Sequence, residues 1–370
     1  MCESWRWRRI STLGMLGLLF AACGGGGGGS GPEPEGPFLG GYHYLRLDRD
    51  RGGDAVRSET GRVTADGLGT LAFGDCYAAE EGSVTGVFTP GDLTYVMAGG
   101  QDLTVSEPGG RTFEGRVAAD GRLACAAVRL SGEDPGMLLV IRPDTSPTQS
   151  VLEGNWYIFE WARQSYPSFR ALAGEGHMAV DAAGSTVVSG YHYNRDGALD
   201  PVLIPQLAEQ LLVDADGWVI RRPDAVSPVY QRGAISEGHE LVVLGTTAGL
   251  GQAGVTVLVR SHQASGNADL DGSYRAAGFE SATAGYGSTG GTASLLGNGG
   301  GGWTLTACME GTTANRQVDL DYTVTGGGQV SFSLAGSALT HGAVGRSGAY
   351  FVWTGYFTPT EVPSFAFWIR

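Results

Sequence analysis

Apolar and polar positions alternate along most of this chain in short runs, the two-residue period of a strand covered on one face. In the first third the runs fall at residues 42–47, 61–65, 70–75, 93–97, 103–106, 112–118, 123–129 and 137–142. Between several of them lie Asp66-Gly67, Gly99-Gly100, Gly109-Gly110 and Asp120-Gly121. Such pairs supply the positive φ that tight hairpins require. The device recurs at Asp216-Gly217 and at Gly326-Gly327-Gly328. The pattern predicts an all-β protein whose consecutive strands pair antiparallel as meanders. A meander of eight can close on itself and so remove its edges. One segment departs from the pattern. Residues 205–211 (Pro205-Gln206-Leu207-Ala208-Glu209-Gln210-Leu211) hold good helix formers behind a first-turn proline. They read as a short helix capping a barrel end, or as a surface turn packed by its leucines.

The runs are organised in threes. Phe38-Leu39-Gly40-Gly41-Tyr42, Leu152-Glu153-Gly154-Asn155-Trp156 and Leu270-Asp271-Gly272-Ser273-Tyr274 share an apolar-x-Gly-x-aromatic opening. Their glycines are 114 and 118 residues apart. Each unit closes on an apolar strand ending in arginine, at Arg142, Arg260 and Arg370. A fixed period of this kind signals repeated structural units. Three units are expected at 38–144, 150–262 and 268–370. The join at Pro143-Asp144-Thr145-Ser146-Pro147-Thr148 has linker composition.

A glycine-x-aromatic first strand with an arginine on the last resembles the calycin superfamily, the lipocalins and avidins. The resemblance implies small up-and-down barrels in which the aromatic plugs one end and the arginine packs across it. Tyr42/Arg142, Trp156/Arg260 and Tyr274/Arg370 are the matching pairs, joined by cation–π attraction. Two units carry tyrosine where that superfamily has tryptophan. The alternative is three open β-sandwiches with unrelated terminal arginines.

The N-terminus reads as an address. Arg6, Arg8 and Arg9 precede an apolar stretch from Ile10 to Ala22, too short for the roughly 20 residues of a membrane span. It ends Phe20-Ala21-Ala22-Cys23, which resembles the lipobox of bacterial lipoproteins, with Phe20 where that family prefers leucine. The resemblance implies a signal peptide at 1–22, cleavage before Cys23, and lipid on its sulfur and amine. Several acyl chains anchor stably where one does not. Residues 23–37 then form a Gly/Pro-rich tether. Gly24 follows the cysteine, where inner-membrane retention in Gram-negative lipoproteins uses aspartate. A lipid-anchored protein of the bacterial cell envelope, at the outer membrane, is the expectation.

Composition narrows the chemistry. All 24 basic residues are arginine, so Schiff-base, P-loop-lysine and lysine-base mechanisms are excluded. The net charge of −14 makes nucleic acid an unsuitable partner. Much of the excess of 63 glycines is tether and hairpin turn.

Catalytic signals are sparse. Cys76 and Cys125 share a unit and are the candidate disulfide, although third and seventh strands of a meander are not neighbours. Cys308 aligns near Cys76 and reads as a buried thiol. Gly249-Leu250-Gly251-Gln252-Ala253-Gly254 fits G-x-G-x-x-G, but a strand follows it, so it reads as a glycine loop. The run from Asn267 to Gly272 starts like a calcium loop but has Gly278 at the twelfth position. Asp48, Asp50 and Asp54 read as a solvated charge cluster. No two of the six histidines have zinc spacing. No cofactor or metal is implied. A non-catalytic binding or scaffolding role is expected, with an unknown protein as partner. The alternative is a carrier of a small apolar ligand, with the pocket in the second unit near Trp156 and Trp161. An envelope enzyme rests on fold analogy alone.

Overall fold

A computed structural model describes residues 38–49, 56–80, 83–88, 90–128, 136–164, 170–195, 198–200, 209–247, 252–264, 266–282, 287–297, 302–306, 317–334, 337–346, 348–355 and 364–370. Residues 1–37, with the expected leader, Cys23 and expected tether, therefore lie outside the described residues, as do Asp50, Asp54 and Cys308.

Three meanders follow one another. The first comprises β1 (Leu39–Arg49), β2 (Val56–Asp66), β3 (Thr70–Glu80), β4 (Ser83–Phe88), β5 (Leu93–Ala98), β6 (Asp102–Ser106), β7 (Thr112–Val117), β8 (Leu123–Val128) and β9 (Gly136–Ile141). The second comprises β10 (Gly154–Gln164), β11 (Arg170–Val180), β12 (Ser185–Arg195), β13 (Ala198–Asp200), β14 (Glu209–Val213), β15 (Val219–Arg222), β16 (Gln231–Ile235), β17 (Leu241–Thr246) and β18 (Gln252–Arg260). The third comprises β19 (Gly272–Ala282), β20 (Gly287–Gly297), β21 (Gly302–Thr306), β22 (Gln317–Val324), β23 (Gln329–Leu334), β24 (Ser337–Val344), β25 (Tyr350–Gly355) and β26 (Ser364–Ile369).

In each unit the first strand pairs antiparallel with both the second and the last, so eight strands close a ring. These are barrels and not open sandwiches. The first two rings share an added strand. β3 meets β5 through only Thr70↔Thr94 and Leu71↔Leu93, while its later half carries β4. β12 likewise meets β14 at two positions and carries β13. The sequence pattern gave eight runs in the first unit; β4 is the ninth. At 205–211 the helix reading is overturned, because Glu209–Val213 is strand β14 and Leu211 is buried in the barrel. Residues 205–208 are outside the described set.

The opening glycine has one physical cause in all three units. Gly40, Gly154 and Gly272 sit at φ of 102°, 130° and 130°, a region closed to most side chains. The chain turns there into its first strand. Strand parity then sorts the side chains. Tyr42 and Tyr44 point into the first barrel, whereas Leu45 and Leu47 point out. Trp156 and Ile158 point into the second, and Tyr157, Phe159 and Trp161 out.

Those outward faces meet. Leu45, Leu139 and Ile141 of the first barrel, Trp161, Val243 and Val257 of the second, and Val352, Phe365 and Phe367 of the third belong to one buried cluster. β8, β9 and β17 are consequently buried at every position, packed on both faces. β8 and β9 read as unbroken apolar runs for that reason, and β17 does so from Leu241 to Leu244. The join between barrels is fastened at Pro143, which bridges Ser236, and by Asp144 N donating to Ile235 O at 2.9 Å.

Candidate functional sites

The terminal arginines fold over the barrel ends, with different partners. Arg142 lies 5.2 Å from the Tyr42 ring centre, and its Nη2 donates to Tyr42 Oη at 2.9 Å and to Leu39 O at 2.7 Å. Arg260 sits closer, 4.1 Å from the Trp156 ring, and donates to His239 O, Glu153 O and Val151 O. Arg370 lies over the opening glycine: a Cβ on Gly272 would come within 2.8 Å of its Nε. Tyr274 Oη donates to Gly348 O at 2.8 Å, as Tyr42 Oη does to Gly121 O at 2.9 Å. Burial pushes the Tyr274 hydroxyl up, with Arg370 opposing.

Above the plugs, the first two barrels enclose ion networks. In the first, Arg111 grips Asp48 with Nη1 and Nη2, both at 2.6 Å, and Glu107 with Nε at 2.9 Å. Arg46 pairs with Asp48 and with Glu107, and both guanidiniums lie over Phe113. Asp48 is therefore a buried ion-pair member and no part of a solvated cluster. Glu59, beside Arg57 at 2.8 Å, is pushed up by burial, against the pull of Arg46 and Arg57.

The second barrel builds its network from different residues. Arg221 pairs with Glu160 and, at 2.6 Å, with Glu209. Tyr191 donates to Glu160 at 2.5 Å, Thr256 to Glu160 at 3.0 Å, and Tyr230 to Glu209 at 3.0 Å. Burial pushes the Glu160 carboxyl up, but Arg221 and these hydrogen bonds outweigh it and hold it below the usual range. Arg46 and Glu160 each stand four residues after the plug aromatic; the third barrel has Gly278 there. Its described interior is aromatic, with Phe351 stacked on Trp368 at 5.3 Å and Trp353 edge-on to both Phe332 and Trp368. No sequence motif marks these networks, because inward position is defined only once each ring closes.

Cys76 and Cys125 are both free and buried, so the candidate disulfide is not formed. They face opposite sides of the first barrel's wall. Cys76 belongs to the interior cluster, whereas Cys125 Sγ points at Phe367 O of the third barrel, 3.6 Å away. Burial raises both thiols, to about 11 and about 12, which leaves them unreactive. Trp161 faces the shared cluster, on the outer side of its barrel's wall.

Histidines serve the contacts between barrels. His43 packs edge-on against Trp218 of the second barrel at 5.5 Å and shares a hydrogen bond with Thr60 Oγ1 at 2.9 Å. Burial, with Arg62 adding to it, lowers its pKa to about 3. His341 of the third barrel pairs with Glu175 of the second. The Asn267–Leu270 turn is structural: Asn267 Oδ1 accepts from Val324 N at 2.8 Å. Among the described residues no group of three His, Cys, Asp or Glu could hold a metal ion, and no helix is long and apolar enough to cross a membrane.

No protein-family model matches this chain, and no curated protein matches it. Among solved structures, the isotype 1 transferrin binding protein B of serogroup B Neisseria meningitidis aligns over 90% of this chain and 77% of its own. Identity is 8% and the TM-score 0.27. A mutant of transferrin binding protein B from Haemophilus parasuis aligns over 90% of this chain and 76% of its own, at 10% identity and a TM-score of 0.25. Scores this low leave function to be argued from the geometry.

Proposed function

We propose that this chain is a lipid-anchored protein of the bacterial cell envelope, held at the outer membrane through Cys23, with a non-catalytic binding or scaffolding role. The observation that carries the reading is that the described barrel interiors are occupied by the protein's own side chains. Tyr42, Tyr44 and Phe113 are buried inside the first, Trp156 and Ile158 inside the second, and Trp353 and Trp368 inside the third. Hydrogen-bonded ion pairs lie inside two of them. An eight-stranded barrel either fills with side chains or holds one small ligand. Filled barrels offer a partner their rims and outer faces. The tether at 23–37 supports the anchor by setting the folded body clear of a bilayer on the order of 20 Å away. The acidic body is itself repelled by anionic lipid, so attachment falls to the anchor.

Two measurements bear on this. In cells, Cys23→Ser should abolish incorporation of labelled fatty acid, and persistent labelling would refute the anchor. A fluorescent fatty acid titrated against the purified protein should show no stoichiometric uptake. Saturable uptake of one molecule per barrel would restore the carrier.

A further inference from the structure

Where the three barrels meet, the structure holds a cleft of about 180 Å³ that belongs to none of them. It is lined from the first barrel by Arg122, Leu123, Ile141 and Arg142, from the second by Glu237, Glu240 and Leu241, and from the third by Tyr350. The floor is apolar, since Leu123, Ile141, Leu241 and Tyr350 all belong to the shared buried cluster. The rim carries both signs of charge.

The rim backbone is fixed within and between barrels. Arg142 N donates to Arg122 O of its own barrel at 2.7 Å, and Glu237 N of the second barrel to Arg142 O at 2.9 Å. Tyr350 Oη donates to Glu240 O at 3.3 Å. His239 Nε2 and Asp144 Oδ2, 2.7 Å apart, clamp the turn that presents Glu237 and Glu240. The cleft is therefore preformed.

Two of the rim charges, Arg122 and Glu237, are not locked in the same way. Arg122 Nε stands 3.6 Å from Glu237 Oε2 and 4.0 Å from Asp120 Oδ2, with Arg122 and Glu237 side chains 52% and 46% exposed. Loose, hydrated pairs contribute at most about 1 kcal/mol. The barrel networks, closed at 2.6 Å, differ sharply. A ligand bringing one charge of each sign can replace the Arg122–Glu237 contact with two better ones. Its carboxylate meets a guanidinium fork, and its ammonium meets a carboxylate. Its apolar part then covers the floor.

We propose that this three-barrel cleft binds a small zwitterion with an apolar side chain, of the class of the aliphatic α-amino acids. The volume suits that class and falls short of the roughly 300–1,000 Å³ of pockets for drug-sized ligands. The site is separate from the barrel interiors and from Cys23, so it stands or falls independently of the proposed anchor and of the filled-barrel reading.

The test is isothermal titration of leucine into the purified full-length protein. Saturable binding of one molecule per chain is expected. It should weaken by about tenfold or more in Arg122→Gln and in Glu237→Gln, each loss being about 1.4 kcal/mol. Both residues are half-exposed, so the variants should keep the parent melting temperature. 4-Methylpentanoate, which lacks the ammonium, and isopentylamine, which lacks the carboxylate, should each bind at least about tenfold more weakly. No saturable leucine binding at millimolar concentration would overturn the proposal. So would binding unchanged in both variants, or equal binding of either single-charge analogue.

Discussion

Arg221 holds two carboxylates inside the second barrel. Arg221→Ala would leave Glu160 and Glu209 without their cation, a change worth about 3–5 kcal/mol. The pH dependence gives it a signature. Glu160 has a folded pKa below its ordinary 4.5, so its contribution is fully present above that value and is lost as pH falls through the lowered one. In the variant the half-buried carboxyl, without its cation, is less strongly held in its charged form. The stability gap between the two proteins should therefore narrow in acid denaturation series. A gap constant with pH would refute the ion-pair role. His43 makes the complementary case. Its folded pKa of about 3 lies below the ordinary 6.5, so the neutral ring contributes fully above pH 6.5 and the contribution is lost as pH falls toward 3. At about 1.4 kcal/mol per unit this amounts to a few kcal/mol. His43→Phe should flatten the stability profile across that window, measured by chemical denaturation at successive pH values. The Tyr42, Trp156 and Tyr274 positions were legible because a short motif recurs three times. The ion networks were not, since nothing local distinguishes Arg46 or Glu160 from a solvent-facing charge on an alternating strand.

Three strands repeat a feature that only pairing reveals. Gly115 on β7, Gly233 on β16 and Gly342 on β24 occupy corresponding places in the three barrels. A Cβ there would stand 1.8 Å from Cys125 O, 1.7 Å from Val243 O and 2.5 Å from Val352 O. Each is the carbonyl of the neighbouring strand. None sits at positive φ, so the requirement is close approach and not backbone conformation. Gly233→Ala should separate β16 from β17 and destabilise the protein by about 1–3 kcal/mol, as overpacking does. Thermal melts of the variant measure it directly. An unchanged melting temperature would mean that the strands separate freely. Most strands were readable from alternation and turn pairs. β4 was not, being attached to one half of β3 outside the ring. At Glu209, Gln210 and Leu211 the helix reading came from helix propensity, which strand pairing overrode.

The three barrels share more than a chain. Leu139, Val257 and Phe367 come from the closing strands of the first, second and third barrels, and all lie in one buried cluster. Hydrogen bonds cross each boundary: Ser58 Oγ to Thr246 O at 2.9 Å, Arg116 Nη1 to Ser273 O at 3.1 Å, and Thr354 Oγ1 to Gly174 O at 3.4 Å. The apolar runs 138–141 and 257–259 carried this information in the sequence, since strands wet on one face alternate and these do not. A period of repeats shows how many units there are; continuous burial shows that they are not beads on a string. Such a body can present its rims to a partner and hold the cleft at its junction in fixed geometry only if the barrels do not unfold separately. Differential scanning calorimetry of the full-length protein decides this. Coupled barrels unfold in one transition, with a calorimetric enthalpy equal to the van't Hoff enthalpy. Separate transitions, or a calorimetric enthalpy about three times the van't Hoff value, would show three independent barrels and refute the shared core.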